Sequence, residues 1–476
     1  MITALVMALS IAWGLFLALP HAQEAIWQDE AVTLLFHASR GVIAPFQDYV
    51  SPNSHVGFTS LLSAWMQLHP DGVDLFSLRM LPLLFFAAAI PLAYAAARRL
   101  GGATCAAIAT LIFATSPVSE NFATQLRGYG PSWLFMALAF LSSLALAAST
   151  RHARRWHAAY LAACLGSVAI LPTNVYWLSV IAGAASLSLY YASVPAAPAK
   201  VWRTVALLLA GPPLALALAY AGIWGELVGF AGHDFSPWGR LDLVAEWLRA
   251  SSANFRWLFP LTGAGLAVAI MGIAKSDPRR SDTIVPLTVA LGFLTLIVVM
   301  PNPPFPRTLV PFLPVWIAVM TKFLLEGARA LVERRQVAAA AGGLVALGLL
   351  LFATPVGTDC RGAKGSGDPT HYDLCHQYFR DGYLPESILD AWAAEGAQRP
   401  IVSGYEAFYA LQVLGAPARL IHYDRLPGDL KLAPLVVASD PSEFELILGR
   451  LGVDATDYAQ LADTGYFKVY RPVGLR

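Results

Sequence analysis

Long apolar runs recur along almost the whole chain, and they constrain its fold more than any other feature. A helix needs roughly 20 apolar residues to cross a bilayer, and a window of about 19 residues marks about eleven such runs. They lie at about 2–20, 78–97, 103–117, 132–149, 157–171, 176–193, 204–223, 257–274, 283–300, 309–325 and 337–354. The chain is 57% hydrophobic and 13% charged, whereas soluble domains carry about 25% charged residues. The sequence therefore predicts an α-helical polytopic membrane protein.

The distribution of basic residues predicts the orientation, because lysine and arginine favour cytoplasmic loops. They occupy alternate loops here, at Arg98-Arg99, Arg151/Arg154/Arg155, Lys200/Arg203, Lys275/Arg279/Arg280 and Arg329/Arg334/Arg335. This pattern predicts a cytoplasmic N-terminus and an extracytoplasmic chain from about residue 355. We expect a multi-pass protein of the cell (inner or plasma) membrane whose first helix is retained. The net charge of +1 argues against a nucleic-acid partner.

The last part of the chain has a different composition and predicts a second domain. We expect a transmembrane domain at 1–354 and a small extracytoplasmic α/β domain at 355–476. Strands are predicted at Ile401–Ser403, Arg419–Tyr423, Leu435–Ser439 and Tyr466–Tyr470, with helices at Tyr405–Leu414 and Ser442–Leu451. A further amphipathic stretch, His55–Leu68, is predicted to lie at the membrane interface.

Four cysteines divide into two pairs by their surroundings. Cys105 and Cys164 fall inside apolar runs and are interpreted as packing residues. Cys360 and Cys375 lie together in a polar stretch, where two ligands alone make a poor zinc site. If that stretch is extracytoplasmic, a Cys360–Cys375 disulfide is the better interpretation.

An acidic pair, Asp29-Glu30, follows the first apolar run and is the leading candidate for chemistry. Of two adjacent acids, one can accept a proton while the other binds a substrate hydroxyl or shifts the pKa of its neighbour. The alternative is structural, with Asp29 as the N-cap of a helix at Ala31–Ala38.

Polar and basic residues at the predicted outer ends of the apolar runs form a second set of candidates. Arg127 offers a fork of donors suited to phosphate oxygens, and Arg79 and Arg307 occupy similar positions. The alternatives are a headgroup contact, a helix cap or a snorkelling side chain. The remaining candidates are Asn53, His55, Gln125 and Tyr129. Of these, a lone histidine such as His55 more often has a structural role than a functional one.

Several function classes compete at this point. A flippase or transporter is expected to carry charged residues through the midplane, which the apolar runs lack. An enzyme that uses a lipid pyrophosphate donor needs more acids for a divalent metal. A membrane scaffold with a partner-binding C-terminal domain is a further alternative. Walker, HExxH and GxSxG motifs do not occur in the sequence.

Taken in order, these motifs resemble the polyprenol-phosphate-sugar glycosyltransferases of the GT-C superfamily, which includes protein O-mannosyltransferases and lipid A aminoarabinose transferases. The resemblance covers residues 1–190 best and 300–325 more loosely. It is carried by Asp29-Glu30, the stretch Asn53–Leu62, Arg79–Pro82, Gln125–Tyr129 and Pro306-Arg307.

The resemblance implies an inverting glycosyltransferase that moves a sugar from a polyprenyl-phosphate donor to an acceptor hydroxyl. It implies that Asp29 is the general base beside Glu30, and that Arg127 and then Arg307 hold the donor phosphate. Gln125 stands where many relatives carry glutamate, which weakens the expectation of a second acid or a metal ligand there. No cofactor is required beyond the lipid-linked sugar, and a metal is not demanded. Acceptors in this class include glycolipids, polysaccharides and proteins.

Overall fold

A computed structural model gives the architecture of the chain. It describes residues 2–23, 26, 28–49, 54–69, 74–148, 153–193, 198–231, 281–299, 306–332, 385–394, 401–403, 407–408, 411–412, 418–420, 434–438, 441–463 and 467–473, with single positions between 241 and 270. The chain divides into two compact units. The first comprises Met1–Ala22 and Val42–Cys375, and the second comprises Gln23–Gly41 and His376–Arg476.

The first unit is built from helices. In chain order its described helices are α1 (Ile2–Ala18), α3 (Val56–Gln67), α4 (Leu75–Ala114), α5 (Pro117–Ala123), α6 (Tyr129–Ala147), α7 (Ala153–Ile170), α8 (Asn174–Ser193), α9 (Pro198–Ala219), α10 (Trp224–Ala231), α11 (Ser281–Val299) and α12 (Leu313–Val332); α2 (Gln28–Val32) belongs to the second unit. Among the described residues, five helices are long and apolar enough to cross a membrane: Thr3–Gln23, Leu75–Ala114, Tyr129–Ala147, Ala199–Ala219 and Arg307–Arg329.

Helix α4 joins two apolar runs that the sequence separates. Its helical geometry breaks at Gly102, where φ is +82°. That left-handed conformation is accessible to glycine at little cost because glycine has no Cβ. The break follows Arg98 and Arg99, so the two runs at 78–97 and 103–117 meet at a basic turn.

Helix α4 also organises the packing of the unit. It contacts α1, α6 and α12, while α6 packs on α7 and α8 packs on α9 and α11. Phe86, Phe113 and Trp133 pack together where α4 meets α6, with ring centroids 5.4–5.6 Å apart. Aromatic pairs at such separations stabilise a core beyond the area that they bury. The contact between α4 and α6 therefore anchors the residues at the start of α6 that are described below.

The stretch predicted to be interfacial forms α3, which has 12 residues. A helix of that length is too short to span a bilayer. Val56, Phe58 and Leu62 are buried together with Thr59, Ser60 and Ser63, and Leu61 and Leu68 are exposed. The helix is therefore not a membrane span, and its location at the membrane interface stays a prediction.

The second unit contains a five-stranded sheet and the helices α13 (Pro385–Ala394) and α14 (Pro441–Leu451). Its strands are β1 (Ile401–Ser403), β2 (Ala418–Leu420), β3 (Leu435–Ala438), β4 (Tyr458–Asp463) and β5 (Lys468–Pro472), in the order β2-β1-β3-β5-β4. β1 pairs in parallel with β2 and β3, and β5 pairs antiparallel with β3 and β4.

Two strands of the parallel part of the sheet, β1 and β3, are buried along their length. The side chains of β1 and β3 are all buried, as expected for parallel strands covered on both faces. Ile388 of α13 packs on one side with Ile401 and Val437. Ile447 and Leu448 of α14 pack on the other side with Val402 and Val436. The small C-terminal α/β domain predicted from the sequence is thus present.

Several predictions lie outside the described residues. They are the apolar run at 337–354, most of the run at 257–274, the boundary between 354 and 355, Asn53, and the pair Cys360 and Cys375. The placement of Gln23–Gly41 in the second unit was not predicted.

Candidate functional site

A tight bend between α5 and α6 carries three of the predicted site residues. The backbone N–H of Arg127 donates to the carbonyl of Gln125 at 2.6 Å, and that of Tyr129 donates to the carbonyl of Arg127 at 2.9 Å. Hydrogen bonds between residues i and i+2 define γ-turns. Two such turns in succession reverse the chain and fix the direction in which Arg127 leaves the backbone.

His55, which immediately precedes α3, forms a hydrogen bond with the backbone of this bend. Its Nδ1 accepts a hydrogen bond from the backbone N–H of Gly128 at 2.9 Å, so that nitrogen carries no proton. Its Nε2 lies 3.3 Å from Nη2 of Arg127. The proton of the neutral imidazole is then on Nε2, so Nε2 and Nη2 are both donors and pack against each other without a hydrogen bond. The buried imidazole therefore fixes the bend and lies in contact with the guanidinium group.

The aromatic ring of Tyr129 packs against the Arg127 side chain. Its Cζ lies 5.5 Å from the centroid of the Tyr129 ring, within the range of a cation–π contact. Tyr129 in turn meets His55 and Phe122 edge-on, at 5.7 and 4.6 Å. Arg127 is only 4% exposed. A buried, oriented guanidinium of this kind is suited to binding a phosphate oxygen.

Two glycines allow the bend to pack closely. A Cβ on Gly128 would lie 2.2 Å from Cγ2 of Ile170 and 3.1 Å from Nδ1 of His55. A Cβ on Gly130 would lie 2.4 Å from the carbonyl oxygen of Pro82. Gly130, the residue after the Gln125–Tyr129 motif, therefore contacts the Arg79–Pro82 motif at Pro82.

Arg79 is fully buried three residues before Pro82 and contacts the end of the first helical segment. Its Nη1 donates to the carbonyl oxygens of His21 and Ala22, at 3.3 and 3.5 Å. Carbonyl groups at a helix C-terminus lack partners within the helix, and a cation there is favourable. The helix-cap interpretation of Arg79 is thus realised, and its predicted contact with phosphate stays a prediction.

Arg307 lies in a 3₁₀ turn, Pro306–Phe312, that leads into α12. Two buried tryptophan side chains form hydrogen bonds with the backbone of this turn. The indole N–H of Trp133 on α6 donates to the carbonyl of Val310 at 2.7 Å, and that of Trp177 on α8 donates to the carbonyl of Thr308 at 2.9 Å. The turn with Arg307 is therefore attached to α6 one helical turn after Tyr129.

The acidic pair lies in the second unit. Asp29 and Glu30 occupy the first turn of α2, which begins at Gln28. The Thr33 hydroxyl donates to the Asp29 carbonyl at 2.9 Å; Asp29 is half-buried and Glu30 is buried. Because the helix starts before Asp29, the alternative of an N-cap for Ala31–Ala38 does not match the observed helix start.

Gln125 differs from the other residues of the bend. It is fully buried, and neither its Oε1 nor its Nε2 has a hydrogen-bond partner within the part of the chain that the structure describes. The neighbouring Thr124 hydroxyl shares this property. Buried amides in native proteins are rarely left without partners.

Sequence reasoning missed the residues that brace this region. Trp133 and Trp177 had no motif to mark them, although Gly128 and Gly130 stand in the predicted block.

Tyr49 was also missed: its backbone N–H donates to the Glu226 carboxylate, and its ring meets Tyr220 edge-on. Burial raises the pKa of Tyr49 to about 12, so its phenol stays protonated at neutral pH.

Metal ligands do not cluster in groups of three or more His, Cys, Asp or Glu side chains among the described residues. The predicted residues of the first unit, in contrast, do come together. Arg127, His55 and Tyr129 are in contact, Gly130 joins them to the α4 segment with Arg79, and Trp133 joins them to the turn with Arg307.

Solved structures share this architecture. ArnT from Cupriavidus metallidurans in the apo state matches with a TM-score of 0.57 and 13% identity, over 98% of this chain and 97% of that chain. ArnT bound to undecaprenyl phosphate matches at 0.46 and 16% identity, with the same coverage. The oligosaccharyltransferase AglB from Archaeoglobus fulgidus, in complex with an inhibitory peptide and a dolichol-phosphate, matches at 0.49 and 13% identity, over 98% of this chain and 74% of that chain.

The apo ArnT match shows the fold. This chain is a polytopic helical membrane protein with a GT-C-like fold and a small C-terminal α/β domain, so the fold class predicted from the sequence is confirmed. Family models do not match the chain, and no curated protein sequence matches it.

Proposed function

We propose that this protein is an inverting glycosyltransferase that moves a sugar from a polyprenyl-phosphate donor to an acceptor hydroxyl at the outer face of the membrane. The observation that carries the proposal is the buried Arg127 guanidinium, packed against His55 and Tyr129, on a fold shared with ArnT. A fixed cation of this kind suits a lipid phosphate that leaves with increasing negative charge.

In the proposed reaction, Asp29 is the general base. The acceptor hydroxyl oxygen attacks the anomeric carbon of the donor sugar while its proton passes to the Asp29 carboxylate. The bond between the anomeric carbon and the phosphate oxygen breaks, and the lipid phosphate keeps the electron pair. Attack from the face opposite the leaving group inverts the anomeric centre. Glu30, the adjacent acid, tunes or assists Asp29.

In this proposal the basic residues bind the phosphate of the lipid-linked donor. Arg127 is the first contact, because it is buried and oriented by its neighbours. Arg307 is the second, and Arg79 supports the site through the end of the first helix. His55 and Tyr129 pack against Arg127, and Asn53 is proposed as a binding residue from the resemblance alone.

The proposed setting is the inner or plasma membrane, with the N-terminus in the cytoplasm and the C-terminal domain outside. The lipid-linked sugar already carries an activated leaving group. The reaction at this face therefore needs no nucleotide, and no cofactor is assigned. Acceptors of the proposed class are glycolipids, polysaccharides or proteins.

The test uses purified full-length protein and a panel of undecaprenyl-phosphate-linked hexoses and pentoses, with a membrane fraction as the source of acceptor. Asp29→Asn should abolish transfer while binding of undecaprenyl phosphate persists. Arg127→Ala should lose on the order of 100-fold or more in rate, since one such donor is worth about 2–4 kcal/mol in a transition state. Arg127→Lys should recover part of the rate, because the fork geometry is lost.

Matched controls are available on the surface of each unit. Asp390→Asn on α13 and Arg154→Ala on α7 remove exposed charges and should leave transfer unchanged. Wild-type turnover by Asp29→Asn would contradict the assigned base. Passage of the lipid across the membrane with no transfer from any donor would support a flippase instead.

A further inference from the structure

The side chain of Gln125 is a buried polar group that nothing in the described structure explains. It is 0% exposed, and both ends of its carboxamide are without hydrogen-bond partners among the described residues. The residue lies two positions before Arg127, and its own carbonyl forms the first turn of the bend. Its backbone is therefore held in place independently of its side chain.

The chemistry of the two atoms restricts what can satisfy them. Nε2 only donates and Oε1 only accepts. A phosphate diester oxygen only accepts, so it would satisfy Nε2 and leave Oε1 buried and unpaired. A hydroxyl both donates and accepts, and a pair of neighbouring sugar hydroxyls can serve both atoms at once. The adjacent Thr124 hydroxyl, also buried without a partner, adds a second group of the same kind.

We infer that Gln125 recognises hydroxyl groups of the transferred sugar and not the lipid phosphate. This inference rests on the proposed function and deepens it, because it separates two roles within one bend. Arg127 takes the phosphate, which is common to every polyprenyl-phosphate donor, and Gln125 selects the sugar. A site built to hydrogen-bond a hydroxyl discriminates strongly against an analogue that lacks it.

The experiment compares binding of two probes to the full-length protein: bare undecaprenyl phosphate and the panel of undecaprenyl-phosphate-linked monosaccharides. Gln125→Met keeps the length of the side chain and removes both hydrogen-bonding atoms. We expect it to bind bare undecaprenyl phosphate as wild type does. Its affinity for the glycolipid that wild type prefers should fall about 10- to 100-fold, the effect of losing two hydrogen bonds.

A deoxy-sugar donor completes the test. The analogue that lacks the recognised hydroxyl should bind wild type as weakly as the intact donor binds Gln125→Met, and the variant should not distinguish the two donors. Ser142→Ala is the matched control, because Ser142 on α6 is also buried without a hydrogen-bond partner for its hydroxyl. It lies about 20 Å along the helix from Tyr129, and its removal should change neither affinity.

Three results would overturn the inference. Equal weakening of bare and glycosylated lipid by Gln125→Met would make the amide a phosphate ligand. Unchanged binding of the bare and the glycosylated lipid would show that neither is a ligand of the Gln125 amide. A raised KM for the acceptor alone would place Gln125 in the acceptor site. Failure of the proposed function looks different, because wild type itself would then bind no glycolipid of the panel more tightly than bare undecaprenyl phosphate.

Discussion

Gly130 and Pro82 approach each other so closely that a Cβ on Gly130 would lie 2.4 Å from the Pro82 carbonyl oxygen. The two residues belong to different helices, α6 and α4; Pro82 ends the Arg79–Pro82 motif and Gly130 follows the Gln125–Tyr129 motif. Their contact brings the Arg79 segment next to the bend that carries Arg127. The glycine is therefore required by packing, and the packing sets the spacing of the site.

Gly130→Ala should destabilise the protein by about 1–3 kcal/mol, because backbone atoms must separate to admit the methyl group. Thermal unfolding of the purified protein measures the effect. Gly183→Ala on α8 is the control, since no described atom outside its own helix backbone lies within 4 Å of its added Cβ. That change should be stabilising by about 0.5–1 kcal/mol, the ordinary gain from replacing a helical glycine. A melting temperature equal to that of wild type for Gly130→Ala would show that α4 and α6 are less tightly packed.

His55→Ala and His55→Asn should separate the two roles of this histidine. Removing the acceptor leaves the buried N–H of Gly128 without its partner, which costs about 1–3 kcal/mol. Asparagine can offer an oxygen near the position of Nδ1, so His55→Asn should retain most of the stability while losing the contact with Arg127. Unfolding temperature and transfer rate are both measured. Equal loss of stability in the two variants would contradict the role of the Gly128 hydrogen bond.

Arg79→Met should lower stability as well as activity. The guanidinium donates to two carbonyls at the end of the first helix, and a hydrogen bond to a charged group contributes about 1.5–3 kcal/mol. We expect the lower end of that range, because the distances of 3.3 and 3.5 Å are long. Arg154→Met, at an exposed position, serves as the control. If Arg79→Met weakens binding of undecaprenyl phosphate with no change in unfolding, Arg79 is a phosphate ligand and not a cap.

Cys360 and Cys375 should form a disulfide in protein taken from oxidising membranes. The bond would close a loop of 15 residues, for which loop-closure entropy gives about 3 kcal/mol. Non-reducing peptide mass mapping identifies the linked peptides. Cys105 and Cys164, which are free and buried, should appear as thiols in the same digest and act as an internal standard. Free thiols at 360 and 375 would also weaken the predicted outer location of the C-terminal domain.

Local patterns made the helices and the central strands predictable. A run of apolar residues long enough to span the membrane must satisfy its backbone within the helix, which is why the runs at 132–149 and 309–325 correspond to α6 and α12. β1 was predicted with its observed bounds because its residues are all apolar except the last. β4 was missed because it is largely exposed and lacks an apolar run, and α13 was missed as well.

The roles of single polar residues depended on partners far away in the chain. Arg79 reaches carbonyls 57 and 58 residues away, and His55 accepts from a backbone group 73 residues away. The residue types alone did not decide between a phosphate ligand and a cap for the arginines, or between a binding and a structural role for His55, because each role uses the same hydrogen-bonding atoms.

The sequence by itself determined the membrane-embedded helical class, the α/β character of the C-terminal region and the residues worth testing, since hydropathy and charge act locally. Only the tertiary structure decided that Arg79 caps the first helix, that His55 and Tyr129 pack against Arg127, and that Gln125 is buried without a partner in the described chain. Those outcomes follow from which surfaces α3, α4 and α6 bury against one another. Such packing sums many weak contacts between distant residues, and a local pattern does not record it.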